Sequence, residues 1–350
     1  MAETAGIPEI TKTLQALAGI VGVSGGEGEV ARAISALAAA HADEIRTDAL
    51  GNVIARRRGP GPHLMLSARM DTVGLLVTHV DAAGFARVAP VGALPLFHAL
   101  GRVFVLEDGV CGVLAHEGKI APKDVSWEHC YLDFGIAGRT DSVQVGDRAA
   151  YAAERFVTDS RIISPGLSGR AGCAVLLHVL AQKRRPACDL SFVFTVQGAL
   201  GARGARTAAY ALAPAWAVSV GVSEAGDTPE STCKNDVTLG GGASLRVMDD
   251  TLITPAHLVR LLEDTARTHR IPLQRAVPTQ GGSDAGAVLA SRAGVPAGAV
   301  DIPVRYAHTA AEMADLRDLA SCAALIAALP TAFSSLKSEE NSGNGLTKRL

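Results

Sequence analysis

The sequence predicts an α/β fold, with a mainly parallel sheet covered by helices on both faces and an inserted small β-barrel-like domain. Residues 190–196 form a near-continuous apolar run, which is typical of a strand buried on both faces. After residue 164, strand and helix patterns alternate, which indicates parallel strands joined by helices. Between residues 74 and 152, short β-like segments separated by glycines predict a small barrel or sandwich.

Composition and charge exclude several classes of protein. The chain has 350 residues, of which 48% are hydrophobic and 19% are charged, as expected for a globular protein with one large domain or two. The formal net charge is −2 and no basic stripe is interleaved with aromatic residues. We therefore expect no nucleic-acid partner.

The cysteines and the N-terminus indicate the cellular compartment. Six cysteines are scattered along the chain without a CxxC pair, which is typical of reduced thiols rather than of disulfides or a zinc site. The N-terminus lacks the basic and apolar regions of a secretion signal, and no apolar run reaches membrane-spanning length. We expect a cytoplasmic protein with no membrane partner.

Two helix starts can be predicted from capping patterns. Ser24 and Glu27 have the spacing of a capping box, which predicts a second helix directly after an N-terminal one. Ser168 has the position of an N-cap for a helix that ends near Lys183.

The ends of the predicted parallel strands are where an α/β sheet gathers its ligands. The strand at residues 63–68 is followed by Arg69 and Asp71. The strand at residues 190–196 is followed by Gln197 and then by Gly198 and Ala199, neither of which can transfer a proton or bind a metal.

The predicted domain boundaries follow the changes of pattern along the chain. The α/β domain is discontinuous and comprises residues 8–72 and 164–332, and the β domain comprises residues 73–163. Residues 333–350 are polar and rich in Ser, Asn and Gly, which predicts a disordered tail.

Four segments together resemble one family, the glutamyl and deblocking aminopeptidases. They are Arg69-Met70-Asp71, residues 166–175 (GLSGRAGCAV), residues 281–287 (GGSDAGA) and residues 304–316 (VRYAHTAAEMADL). The resemblance covers about residues 8–332. It implies a tetrahedral assembly and peptide hydrolysis by two divalent metal ions, bridged by a carboxylate, with a free Glu as general base.

Projecting the family's site onto this chain leaves one of six positions unchanged. The resemblance places the first metal His at Arg69, the bridging Asp at Ser168, the base Glu at Gly198, the next Glu ligand at Ala199, an Asp ligand at Gly221 and the last His at His308. Only His308 keeps the family's residue type. Asp71, which supports the first His in the family, and Asp284 are also retained.

These replacements remove what two metal ions need. Arg69 is permanently cationic and only donates hydrogen bonds, so it repels a metal ion. Ser168 has no negative charge to hold two dications together, and Gly198, Ala199 and Gly221 have no ligand side chain. No residue therefore takes the family's base role, and the pocket candidates are Arg69, Asp71, Ser168, Asp284 and His308.

We therefore predict a non-catalytic binding or assembly subunit with an aminopeptidase fold, and we expect it to bind no cofactor. The alternative is an active hydrolase with a rebuilt site, and two divalent ions, zinc or cobalt, are expected only in that case. Ser168, His308 and Asp71 are the residue types of a nucleophilic triad, but the residues around Ser168 lack the GxSxG pattern.

The expected partners follow from the same resemblance. It implies self-association through the inserted β domain, where the apolar residues 94–97 could lie in an interface. Co-assembly with an active relative and binding of a peptide or a small anionic ligand are further expectations. Because alternate residues of a strand share a face, Arg69 is predicted to enter the lost metal position and pair with Asp71 or with an anionic ligand.

Overall fold

The structure is a computed structural model that describes residues 6–135, 142–231, 233, 236–278 and 281–341. Its helices are α1 (Ile7–Ala18), α2 (Gly28–Ala38), α3 (Leu96–Ala99), α4 (Leu167–Ala181), α5 (Arg203–Leu212), α6 (Ala256–His269), α7 (Asp284–Leu289) and α8 (Leu316–Asn341).

Its strands divide between a large sheet and a closed barrel. They are β1 (Glu44–Thr47), β2 (Val53–Arg57), β3 (His63–Arg69), β4 (Gly74–Val80), β5 (Ala86–Val91), β6 (Val103–Leu106), β7 (Cys111–His116), β8 (Cys130–Asp133), β9 (Arg148–Tyr151), β10 (Phe156–Val157), β11 (Arg161–Ile163), β12 (Asp189–Thr195), β13 (Trp216–Glu224), β14 (Ala243–Arg246), β15 (Leu273–Ala276), β16 (Ala297–Arg305) and β17 (Met313–Asp315).

The large sheet has a parallel centre and antiparallel flanks. Its order is β1-β2-β12-β3-β13-β16-β17-β11-β10, with β14 paired to β16 and β15 paired to β14. The pairs β12–β3, β3–β13 and β13–β16 are parallel, whereas β1, β2, β10, β11 and β17 pair antiparallel. The predicted α/β fold class is confirmed, and the antiparallel flanks extend the predicted sheet.

Helices cover both faces of this sheet because its strands are apolar on both sides. Side chains of β3, β12 and β16 alternate between two hydrophobic clusters. One cluster packs against α1, α2, α4, α6 and α8, and the other packs against α5 and α7. The near-continuous apolar runs of the central strands follow from burial on both faces.

The inserted barrel closes in the order β4-β5-β8-β7-β6-β9. It has its own core around Phe104 and Phe134, separate from the clusters of the large sheet. Residues 156–163, which were predicted to belong to the insertion, instead form β10 and β11 at the edge of the large sheet. The reason is that Ile162 is fully buried in the core of the large sheet and pairs with Ala314 of β17.

The apolar helix α8 is a core helix. Residues 316–335 are long and apolar enough to cross a membrane, but two thirds of the most apolar stretch is buried inside the fold. The helix continues to Asn341, so the first part of the predicted disordered tail is helical. The rest of that tail, residues 342–350, lies outside the described residues.

Both predicted capping interactions are wrong, because the side chains concerned bind elsewhere. Helix α4 begins at Leu167 after Gly166, whose φ is 76°, so Ser168 lies inside the first turn. Helix α2 begins at Gly28. Ser24 donates to Asp71, and the Glu27 carboxylate accepts the amides of Gly25 and Gln197.

Helix α4 packs directly on the backbone of the sheet because it has glycine where it crosses. A Cβ on Gly172 would lie 2.3 Å from the Val220 carbonyl oxygen, and a Cβ on Gly169 would lie 1.9 Å from the Asp71 carbonyl oxygen. Real Cβ atoms do not approach a backbone oxygen this closely. The close approach of α4 to β13 therefore depends on Gly172, and its close approach to the segment after β3 depends on Gly169.

We expect Gly172→Ala to lower the free energy of unfolding by about 1–3 kcal/mol, because the helix must move away from β13. Gly28→Ala is the matched control, since a Cβ there meets nothing within 4 Å, and it should change stability by no more than about 0.5 kcal/mol. Urea unfolding measures both. Equal stability of the two variants would contradict the close packing.

Candidate functional site

The candidate site lies at the carboxyl end of the central strands. Strand β3 ends at Arg69, β12 leads into Gly198 and Ala199, and the first turn of α4 carries Ser168. A Cβ on Gly198 would lie 2.7 Å from Arg69 Cβ, and Arg69 contacts Ser168. These three positions, predicted from separate segments, therefore meet in the folded chain.

Arg69 binds Ser168 rather than a carboxylate. Its Nε donates to the Ser168 carbonyl oxygen at 3.2 Å and its Nη2 donates to Ser168 Oγ at 3.3 Å. Among the described residues, no carboxylate lies within salt-bridge distance of this half-buried guanidinium. The predicted pair with Asp71 is wrong, because β3 ends at Arg69 and the alternation of a strand does not continue to residue 71.

Asp71 is fully buried and its carboxylate is satisfied by three donors. Ser24 Oγ donates at 2.5 Å, the Gly198 amide at 3.0 Å and the Ala199 amide at 2.8 Å. The carboxylate holds the loop after β12 so close that a Cβ on Gly198 would lie 2.8 Å from Asp71 Oδ1. The loop therefore has no room for a side chain at residue 198 in this arrangement.

Glu312 is a buried member of the site that the sequence analysis missed. Its Oε2 accepts the Ser168 amide at 2.8 Å and its Oε1 accepts the His308 amide at 2.6 Å. Burial raises the pKa of the Glu312 carboxyl, and the two backbone amides oppose that shift. A single acidic side chain thus ties the start of α4 to the loop before β17.

His308 is held as a neutral imidazole. Its φ is 64°, in the left-handed region. Burial lowers the pKa of His308 to about 4, with the Arg69 guanidinium adding to the shift. A positive charge on this ring would be poorly solvated and repelled by Arg69.

Asp284 does not share hydrogen bonds with Arg69 or Ser168 in the described structure. It begins α7, is buried, and accepts a hydrogen bond from Thr195 Oγ1 at 2.8 Å. Burial raises the pKa of this carboxyl to about 6, against the effect of the Thr195 hydroxyl. It ties α7 to the end of β12.

Next to Gly221 lies a buried ion cluster that the sequence analysis also missed. Asp301 of β16 pairs in register with Gly221, and its Oδ2 accepts Arg246 Nε at 2.7 Å. Arg246 also donates to Asp249 Oδ2 at 3.2 Å and to the Val222 carbonyl oxygen at 2.9 Å. The only available signal was an aspartate within the apolar strand at residues 297–302, and it does not indicate a partner.

The described geometry does not form a nucleophilic triad. Ser168 Oγ contacts Arg69, and the Asp71 carboxylate is taken by Ser24 and by two amides instead of His308. A serine hydroxyl needs a neighbouring base to become a nucleophile. The rebuilt triad considered from the sequence therefore has no support in these contacts.

The residues present do not fit a pair of divalent cations. A guanidinium bonded to Ser168 stands where the first imidazole and the bridging carboxylate of the resemblance would meet. Within the described ranges, no group of three or more His, Cys, Asp or Glu side chains is arranged to hold a metal ion. Two dications need carboxylates and imidazoles converging on one point.

The depressed pKa of His308 predicts a loss of stability in mild acid. The folded pKa, about 4, lies below the unfolded value of about 6.5, so the neutral ring stabilises the fold above pH 6.5 and this stability is lost as the pH falls toward 4. Between pH 7.5 and 5 we expect His308 to account for a loss of about 1–2 kcal/mol.

The measurement is urea unfolding of the parent and of His308→Asn at both pH values. Asn cannot titrate, and it tolerates the left-handed backbone of this residue. The variant should lose less stability than the parent between the two pH values. Equal losses would contradict the assigned protonation state.

The comparisons with known proteins agree with this architecture. The chain matches the profile of the M42 glutamyl aminopeptidase family over residues 51–325. It is 32% identical over 304 residues to the lysyl aminopeptidase of Pyrococcus furiosus, covering 82% of this chain and 87% of that protein.

Two solved structures have the same fold along nearly their whole length. The aminopeptidase APDkam598 of Desulfurococcus kamchatkensis has a TM-score of 0.88 at 29% identity, covering 94% of this chain and 98% of that chain. The TET1 peptidase of Pyrococcus horikoshii, which can assemble into a tetrahedron or a large octahedral shell, has a TM-score of 0.83 at 25% identity, covering 92% and 99%. The chain belongs to the M42 glutamyl aminopeptidase family.

Proposed function

We propose that this chain is a non-catalytic member of its family that acts as a binding or assembly subunit. The observation that carries the proposal is the contact between Arg69 and Ser168. By the resemblance, these residues stand at the positions of the first metal-binding His and of the bridging Asp. A cation bonded to a neutral hydroxyl there replaces a neutral imidazole and an anion.

The charges and the missing proton acceptor at these positions both support the proposal. A bridging carboxylate offsets the repulsion between two dications, whereas the Arg69 guanidinium would add to that repulsion. A general base must accept a proton from the attacking water, and Gly198 has no side chain to do so. The close approach of Gly198 to Asp71 supports a loop that has adapted to this loss.

We expect purified protein to contain no stoichiometric zinc, cobalt or manganese and to show no metal-stimulated hydrolysis of a panel of aminoacyl substrates, for the reasons of charge given above. Elemental analysis and a peptidase assay are the measurements. An active member of the family, purified and assayed in parallel, serves as the control for metal loss and for assay sensitivity.

A metal-to-protein ratio near one or two, together with turnover that a chelator abolishes, would contradict the proposal. That result would favour the alternative of an active hydrolase with a rebuilt site, using zinc or cobalt.

The proposal includes self-association through the inserted barrel. Phe97 on α3, next to the barrel, is 86% exposed, which is unusual for an aromatic side chain and marks an apolar contact surface. The shell-forming peptidase of Pyrococcus horikoshii supports assembly as a property of related chains. Assembly can persist without catalysis because it uses different residues. Co-assembly with an active relative follows as a second arrangement.

The ligand that we propose for the pocket is a peptide or a small anion. Among the described residues, the Arg69 guanidinium donates hydrogen bonds to neutral groups of Ser168, so an anionic group reaching it would gain a charge-assisted hydrogen bond. The cytoplasm is the compartment we propose, since five cysteines are free thiols, namely Cys111, Cys130, Cys173, Cys188 and Cys322.

We expect Phe97→Asp to shift the protein toward smaller species, because a charge would replace an apolar contact in the interface. Light scattering at micromolar concentration measures the mass. Ile253→Asp is the matched control: Ile253 is 71% exposed but belongs to the α/β part of the chain, and its mass should equal that of the parent. A strictly monomeric parent would overturn the assembly proposal.

A further inference from the structure

We propose that Asp301, held by Arg246, has taken the place of the metal ligand lost at Gly221, and that carboxylates at both positions are incompatible in this chain. The inference rests on the proposed function in one respect, since it treats Gly221 as a lost ligand position. Otherwise it depends on contacts in the folded chain.

The strand pairing places Asp301 next to the vacated position. Asp301 lies on β16 between its parallel partner Gly221 on β13 and its antiparallel partner Ser244 on β14. Side chains of paired residues point to the same face of a sheet. The side chain that Gly221 lacks would therefore stand beside the Asp301 carboxylate, and Cβ atoms at paired positions are about 5 Å apart.

The carboxylate of Asp301 extends toward the place where a side chain at residue 221 would lie. A Cβ on Gly221 would lie 3.0 Å from Asp301 Oδ1. Oδ1 is buried and accepts no hydrogen bond of normal geometry among the described residues, although the Gly221 amide is near enough to oppose the rise in pKa that burial causes. Buried carboxylate oxygens are rarely left without a donor, because desolvation is then uncompensated.

Arg246 balances the charge that Asp301 brings into the interior. The side chains of Arg246, Asp301 and Asp249 are 8%, 1% and 0% exposed. Two carboxylates already share this one guanidinium. A third carboxylate, at residue 221, would add negative charge to a buried cluster that has no further cation within salt-bridge distance in the described part of the chain.

The cluster also links three strands of the sheet near Gly221. Arg246 of β14 bonds to Asp301 of β16 and to the Val222 carbonyl of β13, so one side chain joins three strands near Gly221. This polar connection between the strands comes from the chain's own side chains.

A thermal-unfolding series on the full chain tests the inference. We expect Gly221→Asp to lower the midpoint by about 5 °C or more, because it buries a like charge beside Asp301. Gly221→Asn has the same shape, is neutral, and can donate to Asp301 Oδ1, so its midpoint should be clearly higher than that of Gly221→Asp. Adding Asp301→Ser to Gly221→Asp should restore part of the midpoint.

The matched control is Gly221→Asp with Asp249→Ser. It removes the other carboxylate bound by Arg246 but leaves the like charge beside residue 221 in place, so it should restore less of the midpoint than Asp301→Ser does. Equal midpoints for Gly221→Asp and Gly221→Asn would overturn the inference, as would additive losses in the double variant with Asp301→Ser. The proposed function is tested separately by the metal content of the unaltered protein.

Discussion

The geometry of the site depends on the hydrogen bonds that the buried carboxylate of Asp71 accepts. This carboxylate accepts hydrogen bonds from Ser24 and from the amides of Gly198 and Ala199, so it joins the loop before α2 to the loop after β12. A buried anion without these donors would be strongly destabilising. The chain must therefore bring the three donors to one point. Because two of them are amides of the loop after β12, this requirement sets the path of that loop.

Other buried charged side chains around the pocket also have hydrogen-bond partners. Most of these partners are backbone amides and carbonyl groups, not side chains of opposite charge. Glu312 accepts two amides, and Glu27 does the same through Gly25 and Gln197. The fully buried Arg170 donates to the carbonyl oxygens of Leu17 and Ile20, and burial lowers its pKa to about 10. Several of these contacts fix a loop to a helix end, as when Glu312 binds the amide of Ser168 at the start of α4.

Much of the fold could be predicted because apolar periodicity is a local signal. The strand at residues 190–196, the alternation that follows it and the short strands of the barrel are each encoded within a few neighbouring residues. The boundaries of the inserted domain were harder to predict from the sequence. Residues 156–163 resemble the other short strands, and only their pairing with β17, far along the chain, assigns them to the large sheet.

In the candidate site, too, local features could be predicted from the sequence and contacts between distant segments could not. The positions at the strand ends were predictable from order along the chain, but the partners of their side chains were not. Whether Arg69 turns toward Asp71 or toward Ser168 depends on where β3 stops pairing, which is a tertiary property. Glu312 and Asp301 carry no motif of their own, and their roles arise from amides and a guanidinium contributed by distant segments.

The return of the chain from the barrel to the sheet edge has a mechanical consequence. The barrel is joined to the large sheet through β3 at one end and through β10 and β11 at the other, so it has two attachments instead of one hinge. A body held at two points on one rigid frame has little freedom to swing. If copies met through their barrels, each large sheet would therefore be held in a fixed orientation relative to the contact.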